Sequence, residues 1–477
     1  MPQIAETTAG QRWHFPSAFT ILLVLTIIVA ALTWVIPAGQ YDRVPSALLG
    51  KDVPVAGSYK PTEANPQGVY NVILAPIAGF YDPVKYVARA IDVSLFVLII
   101  GGFIGVVTAS GAIDAGIRAA MVGLKGRERW MIPILMALFA TGGTTYGMAE
   151  ETLAFYLILI PVMIAAGYDA LTGVAVIMLG AGIGVLGSTV NAFATVIASN
   201  AAGVSFTTGL ALRLVILALC WLATVAYVMR YAERVKSDPA KSLVFNLKAD
   251  NDAYFMAVHA DKAAPFTGLH KVVLVLFGLT FAVMIWGVSL GGWWMAEMSG
   301  LFLFAAILIG IVARLGETRL VDAFLNGARD LLGVALIIGL ARGIVVIMDA
   351  GLITDTILHA AEGTVAGLGR IAFINVMYWI EVGMSFLVPS TSGLAVLSMP
   401  ILAPTGDFAG VGRDLVVTAY QSASGIVNLI TPTSAVVMGG LAIGRVPYQR
   451  WLQFIWPLLV AITFIIMAAI STAVWIG

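Results

Sequence analysis

The segment GGTTYGMAEE (residues 142–151) interrupts a long apolar region with three glycines, two threonines and two glutamates. Apolar arms flank it at residues 130–141 and 152–166. As helix, the first arm covers only about 18 Å, which is less than the ~30 Å hydrocarbon core of a bilayer. The pattern therefore predicts a re-entrant helical hairpin, with residues 142–151 at its tip within the membrane.

The composition of the whole chain is that of a polytopic membrane protein. Charged residues make up 11% of the sequence and hydrophobic residues 60%, whereas soluble proteins carry about 25% charged residues. The charges collect in segments such as 125–129 and 230–271, which argues against a nucleic-acid partner. One cysteine and four scattered histidines show no disulfide framework and no metal-ligand spacing. We therefore expect an all-α protein in the lipid bilayer, without a metal or other cofactor.

Two pairs of segments indicate an internal duplication. GGFIGVVTASGAIDAGI (101–117) matches ARGIVVIMDAGLITDTI (341–357) at a shift of 240 residues. PVMIAAGYD begins at Pro161 and PILAPTGDF begins at Pro400, a shift of 239 residues. Because both pairs occur in one order and at nearly one offset, we expect two copies of one structural unit.

The distribution of lysine and arginine predicts how the two copies lie in the membrane. A cytoplasmic N-terminus and an extracytoplasmic C-terminus leave most basic clusters in the cytoplasm. The spans are then 17–37, 92–109, 208–230, 271–288, 297–313, 331–348 and 451–475. In this arrangement the linker span 271–288 inverts the second copy relative to the first. Inverted repeats are typical of secondary transporters, which bind substrate near the membrane midplane.

The same arrangement predicts the domain boundaries. Residues 1–230 form the N-terminal repeat, with a long extracytoplasmic loop at 38–91. Residues 231–296 hold a cytoplasmic loop and the linker span, and residues 297–477 form the inverted C-terminal repeat. Each repeat is expected to contain a re-entrant hairpin and a broken transmembrane helix.

Each predicted repeat has two places where an apolar helix cannot continue. These breaks are 142–151 and 187–193 (GSTVNAF) in the first repeat, and 385–393 (SFLVPSTSG) and 428–434 (NLITPTS) in the second. Non-helical backbone at membrane depth is tolerated where it is buried in protein or lines a wet cavity. Hydroxyl clusters in membrane helices also serve helix packing, but their recurrence at breaks in both repeats favours ligand binding. The predicted substrate-binding residues are Thr144, Thr145, Ser188, Thr189, Asn191, Ser390, Thr391, Ser392, Asn428, Thr431, Thr433 and Ser434.

Ionisable residues inside the membrane are costly and therefore functional by default. We predict ion or proton coupling for Glu150, Glu151, Asp349 and Glu381, and a carboxylate clamp for Arg342, whose guanidinium group can bind a carboxylate through two hydrogen bonds. A structural alternative exists for two pairs. One glutamate of Glu150 and Glu151 can cap the following helix, and Arg342 and Asp349 can form structural ion pairs with other helices.

Three motifs resemble those of a known transporter family. LTWVIPAGQYDR (32–43), SGAIDAGI (110–117) and NLITPTSAVVMGGLAIG (428–444) resemble the YfcC-like branch of the C4-dicarboxylate anaerobic carrier (DcuC-type) family, in the ion transporter superfamily. The resemblance implies inverted repeats, re-entrant hairpins and a secondary transporter of bacterial inner membranes. It also implies dicarboxylates or, for the YfcC branch, basic amino acids as substrates. Dicarboxylate/sodium relatives carry Ser-Asn-Thr at the hairpin tips, where this chain has Gly142-Gly-Thr-Thr145 and Pro389-Ser-Thr-Ser392.

These observations together predict a secondary active transporter, a symporter or an antiporter, and not an enzyme. The expected substrate is a small carboxylate-bearing metabolite, with an amino acid favoured and Na⁺ or H⁺ as the coupling ion. We also expect a homodimer. The alternatives are a C4-dicarboxylate carrier, an ion channel or ion antiporter, and an intramembrane enzyme, for which the sequence shows no clustered catalytic partners.

Overall fold

The computed structural model of the chain describes residues 16–46, 51–113, 115–116, 128–145, 147–260 and 266–476. In these residues nearly all regular structure is helical, as the composition predicts. Some residues used in the sequence analysis lie outside the described ranges. They are the basic residues Lys125 and Arg127, Tyr146 of the first break, and Ile117 of the repeat match.

The described part of the first half begins with helix α1 and a loop with two small antiparallel sheets, β1 with β4 and β2 with β3. Its strands are β1 (Gly39–Gln40), β2 (Arg43–Ser46), β3 (Lys51–Pro54) and β4 (Lys60–Pro61). Its helices are α1 (Ala18–Leu32), α2 (Val69–Phe80), α3 (Ile91–Ala109), α4 (Met131–Thr145), α5 (Leu153–Ala165), α6 (Ala170–Leu186), α7 (Ile197–Ala202) and α8 (Leu210–Ser237).

Two helices connect the halves, and the second half follows. The connecting helices are α9 (Lys248–Ala260) and α10 (Gly268–Leu290). The helices of the second half are α11 (Met295–Val312), α12 (Glu317–Asp330), α13 (Leu332–Ala350), α14 (Thr354–Val365), α15 (Arg370–Leu387), α16 (Thr391–Ala409), α17 (Arg413–Val427), α18 (Ala435–Ile443) and α19 (Tyr448–Ile476).

Seven helices in the described residues are long and apolar enough to cross a bilayer: α3, α8, α10, α11, α13, α15 and α19. The chain is therefore a multi-pass membrane protein. The predicted span 17–37 is wrong in length, because α1 ends at Leu32. There the Thr33 hydroxyl donates to the Ala30 carbonyl at 2.6 Å, and the chain turns before Pro37, which cannot continue a helix. Helix α8 runs to Ser237, beyond the predicted end at 230.

The helices are interrupted at all four predicted breaks. Helix α6 ends before residues 187–191, α15 before residues 388–390, and α17 before residues 428–434. The first break is shorter than predicted, because α4 continues through Thr145. A methyl group at Gly143 would lie 2.2 Å from the Ala181 carbonyl oxygen of α6. This glycine therefore allows close helix packing and does not form the turn.

The helices of the second half occur in the same order as those of the first half, at a nearly constant shift in residue number. Ala350 at the end of α13 follows Ala109 at the end of α3 by 241 residues, and α19 begins 238 residues after α8. Two packing contacts between the halves are reciprocal: α2 packs on α13, and α12 packs on α3. Small residues permit both contacts, and a methyl group at Gly79 would lie 2.0 Å from the Gly339 carbonyl oxygen. Such close approach through small residues is typical of membrane helices.

The loop after α1 is bound to helix α14 of the second half. Arg43 and Asp355 form an ion pair at 2.9 Å, and the Tyr59 ring stacks on His359 with 4.1 Å between the ring centroids. The Tyr41 hydroxyl donates to Glu362 at 2.9 Å. Burial and this carboxylate raise the pKa of Tyr41 well above its usual range. The loop thus covers one end of the second half.

Candidate functional site

A cavity of about 490 Å³ lies where the four helix breaks meet. We call it the central cavity. Each break contributes to its wall: residues 147–152 from the first, Asn191 and Phe193 from the second, residues 389–392 from the third, and Asn428, Thr433 and Ser434 from the fourth. Helices α3, α6, α11 and α13 supply further lining residues. Polar side chains that are far apart in the sequence therefore converge on one cavity.

The two breaks of the first half are held together by hydrogen bonds. The Thr189 amide donates to the Thr144 hydroxyl at 3.0 Å, and the Thr189 hydroxyl donates to the Thr144 carbonyl at 3.2 Å. The Asn191 side-chain amide donates to the Gly143 carbonyl at 3.2 Å. Thr144 and Thr189 are buried and do not line the central cavity. Their hydroxyls satisfy backbone groups that the breaks release.

The two breaks of the second half are joined in a similar way. The Thr391 hydroxyl oxygen accepts from the Asn428 amide at 3.2 Å and from the Ser424 hydroxyl at 3.4 Å. The Tyr420 hydroxyl donates to the Thr391 carbonyl. Trp451 donates its ring N–H to the Leu429 carbonyl at 2.9 Å, which satisfies one freed carbonyl. Thr391 and Asn428, unlike Thr144 and Thr189, do line the central cavity.

Gln421 of α17 connects the two halves beside the cavity. Its carbonyl oxygen accepts from the Thr195 hydroxyl at 2.7 Å, and its amide donates to the Ser188 carbonyl at 2.9 Å. Gln421, Thr195 and Ser188 are each almost completely buried. Gln421 and Thr195 were not predicted as site residues, because each is a single polar residue in an otherwise helical pattern.

Two helices begin at the cavity with a serine cap. The Ser390 hydroxyl accepts from the Gly393 amide at 3.2 Å at the start of α16, and the Ser434 hydroxyl accepts from the Val437 amide at 3.5 Å at the start of α18. The N-terminus of a helix carries a partial positive charge and unpaired N–H groups, which favour an anion. These two helix starts thus add positive potential to the central cavity.

Three carboxylates and two guanidinium groups line the described wall of the central cavity: Asp92, Glu150, Glu151, Arg89 and Arg342. Arg89 is bound to Asp82 at 3.1 Å, and Asp92 accepts from the ring N–H of Trp294 at 3.0 Å. Glu151 is buried and accepts from the Ala149 amide at 3.0 Å. Glu150 and Arg342 form no hydrogen bond or ion pair with another described residue, so both are available to a ligand.

Arg342 also lines a second cavity, of about 430 Å³, beneath the loop after α1. We call this the loop cavity. Asp349, one of the predicted coupling residues, lies there and accepts from the Thr354 hydroxyl at 3.0 Å. Asp52, Arg43 and Asp355 complete its charged wall. Arg342 therefore lies between two polar cavities, on a helix that faces both.

The structure brings most predicted site residues to the central cavity. Those lining it are Asn191, Ser390, Thr391, Ser392, Asn428, Thr433, Ser434, Glu150, Glu151 and Arg342. Those outside its lining are Thr144, Thr145, Ser188, Thr189, Thr431, Asp349 and Glu381. Of these, Thr145 donates to the Thr141 carbonyl at 2.6 Å, and the Thr431 hydroxyl lies 2.6 Å from that of Thr433. Arg89, in the predicted loop 38–91, and Asp92, the first residue of the predicted span 92–109, also line the cavity and were not predicted as site residues.

The described residues hold no group of three or more His, Cys, Asp or Glu side chains that could bind a metal ion. The model of the family described as "C4-dicarboxylate anaerobic carrier" matches residues 15–475. The chain belongs to this carrier family.

Two curated relatives of this carrier span nearly the whole chain. One, from Haemophilus influenzae, is described as an uncharacterized protein and is 34% identical, over 94% of this chain and 95% of the relative. The other, from Escherichia coli K12, is described as a putative basic amino acid antiporter, YfcC, and is 33% identical, over 95% of both chains. Among solved structures, the chain is similar to that of Neisseria gonorrhoeae MtrF, which is described as illuminating a class of antimetabolite efflux pumps. The two chains are 16% identical, and the TM-score is 0.43 over 96% of this chain and 95% of that one. Membership of the carrier family, together with the similarity to the Escherichia coli relative, makes the chain a membrane transporter and not an enzyme.

Proposed function

We propose that this carrier is a secondary active transporter that binds a small amino acid in the central cavity. The observation that carries the proposal is the convergence of all four helix breaks on that one cavity. Breaks in membrane helices expose backbone groups and dipole ends, which secondary transporters use to bind substrates and coupling ions. A cavity of about 490 Å³ is within the usual size range of small-molecule sites.

Positive groups on one part of the wall suit a carboxylate. The Arg342 guanidinium group has no protein partner within hydrogen-bonding distance among the described residues, and the helices capped by Ser390 and Ser434 begin at the same cavity. A guanidinium group binds a carboxylate through two parallel hydrogen bonds. We assign Arg342 as the carboxylate clamp, and Thr391, Asn428 and Ser434 as hydroxyl and amide contacts.

Acidic groups on the same wall favour an amino acid over a dicarboxylate. Glu150, Glu151 and Asp92 outnumber the arginines, and Arg89 is already paired with Asp82. A substrate with an ammonium group compensates these carboxylates, whereas a second carboxylate would add to the repulsion. The description of the Escherichia coli relative as a basic amino acid antiporter supports this choice. A C4-dicarboxylate, which the family description names, is the second candidate, and Arg342 is the observation that favours it.

We further propose that the two halves are inverted repeats in a bacterial inner membrane, and that α4 and α5 of the first half form a re-entrant hairpin. A hairpin in the second half stays a prediction, because α15 is long enough to cross the bilayer. The constant offset between the halves and the reciprocal packing of α2 on α13 and α12 on α3 support the inverted repeats. Helices α4 and α5 have 15 and 13 residues and reach only about 20–22 Å each. Neither spans the ~30 Å core alone. The homodimer predicted from the sequence stays a prediction.

The proposal is tested first by ligand-dependent thermal stability. Purified protein is heated with L-arginine, L-ornithine, L-glutamate or succinate, because a ligand that binds only the native state raises the melting temperature. We expect stabilisation by an amino acid, and counterflow of the same radiolabelled compound in proteoliposomes. Stabilisation by succinate alone would favour the dicarboxylate carrier. Ionic currents without saturable counterflow would contradict a carrier of either kind.

Two variants connect the function to the central cavity. Arg342→Lys keeps the charge but loses the planar geometry that forms two hydrogen bonds to a carboxylate. We therefore expect KM for counterflow to rise about tenfold or more, and a tenfold change corresponds to about 1.4 kcal/mol of binding free energy. Thr391→Ala removes a cavity hydroxyl and should also raise KM. The matched control is Thr364→Ala, because Thr364 is exposed on α14 and its hydroxyl bonds only to the Ala360 carbonyl. Unchanged kinetics in both Arg342→Lys and Thr391→Ala would move the substrate site elsewhere.

A further inference from the structure

Glu381 of α15 is an acidic residue buried away from both cavities. Its side chain is completely buried, and neither carboxyl oxygen has a hydrogen-bond partner among the described residues. Ser385, one helical turn further on, is also buried, with a hydroxyl that has no partner in the described part of the chain. A charged carboxylate without a partner is very unfavourable in such surroundings, and such groups are neutralised instead.

The neighbours of Glu381 do not neutralise its charge. The Ser398 hydroxyl of α16 is within reach, but it donates its proton to the Leu394 carbonyl at 3.0 Å. Tyr420 of α17, a helix that packs against α15, lies within electrostatic range of Glu381, and its phenol carries no charge. No hydrogen bond or ion pair joins Glu381 to any other described titratable group of α15 or of the helices packed against it. Those groups are Arg370 and Tyr378 on α15, Asp355, His359 and Glu362 on α14, Asp407 on α16, Arg413 and Asp414 on α17, and Tyr448 and Arg450 on α19.

We propose that Glu381 carries the proton that is coupled to substrate transport, an inference that rests on the proposed carrier function. In the state described here, a proton is covalently bound to a carboxyl oxygen of Glu381, which makes the side chain neutral. In another state of the transport cycle, that O–H bond breaks and the proton passes to water on one side of the membrane. Protonation from water on the other side completes the cycle, with no net change in the protein.

Tyr420 supplies a physical connection from Glu381 to the central cavity. Its hydroxyl donates to the carbonyl of Thr391, and Thr391 lines the cavity and accepts from Asn428 of the fourth break. A carboxylate is a stronger acceptor than a carbonyl. Ionised Glu381 would therefore attract the Tyr420 hydroxyl and weaken its hydrogen bond to the Thr391 carbonyl at the third break. The protonation state of Glu381 thus alters the wall of the substrate site.

The first test detects the proton without a substrate. Infrared spectra of the wild-type protein at neutral pH should contain a carbonyl band of a protonated carboxylic acid that shifts in heavy water. Glu381→Gln should remove this band, and Glu381→Asp should shift it. Glu297→Gln is the matched control, because Glu297 is exposed at the start of α11, and should change nothing. A carboxylic-acid band of unchanged intensity in Glu381→Gln would overturn the proposal.

The second test follows proton movement in proteoliposomes with a pH dye in the lumen. For wild-type protein, addition of L-arginine outside should change the lumenal pH and should also drive counterflow of radiolabelled L-arginine. Glu381→Gln should abolish the pH change while counterflow continues. Counterflow with an unaltered pH change in Glu381→Gln, or Na⁺-driven uptake without proton movement in the wild type, would overturn the inference and leave the carrier function standing. Absence of counterflow by the wild type with L-arginine, L-glutamate and succinate would instead contradict the carrier function.

Discussion

At the scale of single residues, Glu150 and Glu151 are adjacent in the sequence but have different surroundings. Glu151 is buried and accepts from the Ala149 amide at 3.0 Å, within the tip of the first break. Glu150 is half-buried, lines the central cavity and bonds to no other described residue. Glu150 and Glu151 lie in a 3-10 turn, in which successive side chains point about 120° apart, so one glutamate can stabilise the break while the other meets a ligand.

This difference predicts opposite effects of substitution. Glu151→Ala should lower the free energy of unfolding by about 1–3 kcal/mol, because it leaves the Ala149 amide without its hydrogen-bond acceptor. Glu150→Gln should leave thermal stability nearly unchanged and alter substrate counterflow. Thermal unfolding in detergent and counterflow in proteoliposomes measure the two effects separately. Glu233→Ala, at an exposed position on α8, is the control for stability. A stable Glu151→Ala protein with impaired transport would reverse the assignment.

The residue types at the site could be predicted from the sequence, but the direction of each side chain could not. Thr144 and Thr391 were predicted on equal grounds, yet Thr144 bonds to Thr189 outside the cavity lining, and Thr391 lines the cavity. Asp92 was treated as the first residue of a span, although it faces the same space. Which way a side chain faces depends on the rotation of its helix against neighbours that are distant in the sequence.

At the scale of helices, the breaks were predictable because short apolar arms and polar clusters are local features. Helix α2 was not predicted. It has 12 residues and contains Pro76, so it is too short for a span and interrupted by a residue that breaks helices. Most of the stability of short helices comes from tertiary packing, and α2 packs on α13 of the other half. Its formation thus depends on a contact that local sequence does not reveal.

The reciprocal contacts make a prediction about helix packing. Gly79→Ala and Gly327→Ala should each destabilise the fold by about 1–3 kcal/mol, because overpacking forces backbone shifts. The added methyl groups would lie 2.0 Å from the Gly339 oxygen and 2.2 Å from the Gly101 oxygen, respectively. Thermal unfolding in detergent measures the effect. Gly363→Ala on α14 is the matched control, because no atom lies within 4 Å of the new methyl group, and it should be neutral or stabilising. Equal melting temperatures for all three variants would show that the contacts tolerate separation.

At the scale of the whole molecule, two short sequence matches predict a duplication, which stays a prediction, whereas the exchange of contacts between the halves could not be predicted from the sequence. The end of α3 receives a hydrogen bond from Arg319, whose side chain donates to the Ala109 carbonyl at 3.0 Å. The corresponding end of α13 receives one from Asn65 of the loop, which donates to the Ala350 carbonyl at 2.9 Å. The end of α3 therefore contacts the basic segment that contains Arg319, and the end of α13 contacts the predicted extracytoplasmic loop.

Inverted repeats require these two environments to lie on opposite sides of the membrane. Cys220 is the one cysteine of the chain, so Cys220→Ala gives a background in which single cysteines can be labelled. A membrane-impermeant maleimide should label Ala56→Cys, in the loop, and a cysteine appended after residue 477 in intact cells. It should label Ala240→Cys, which follows α8, only after permeabilisation, because basic connections stay in the cytoplasm. Ala56 and Ala240 are both exposed, so a difference in labelling reports the side of the membrane. Labelling of both Ala56→Cys and Ala240→Cys in intact cells would contradict the inverted arrangement. It would also be contradicted if the appended cysteine, like Ala240→Cys, were labelled only after permeabilisation.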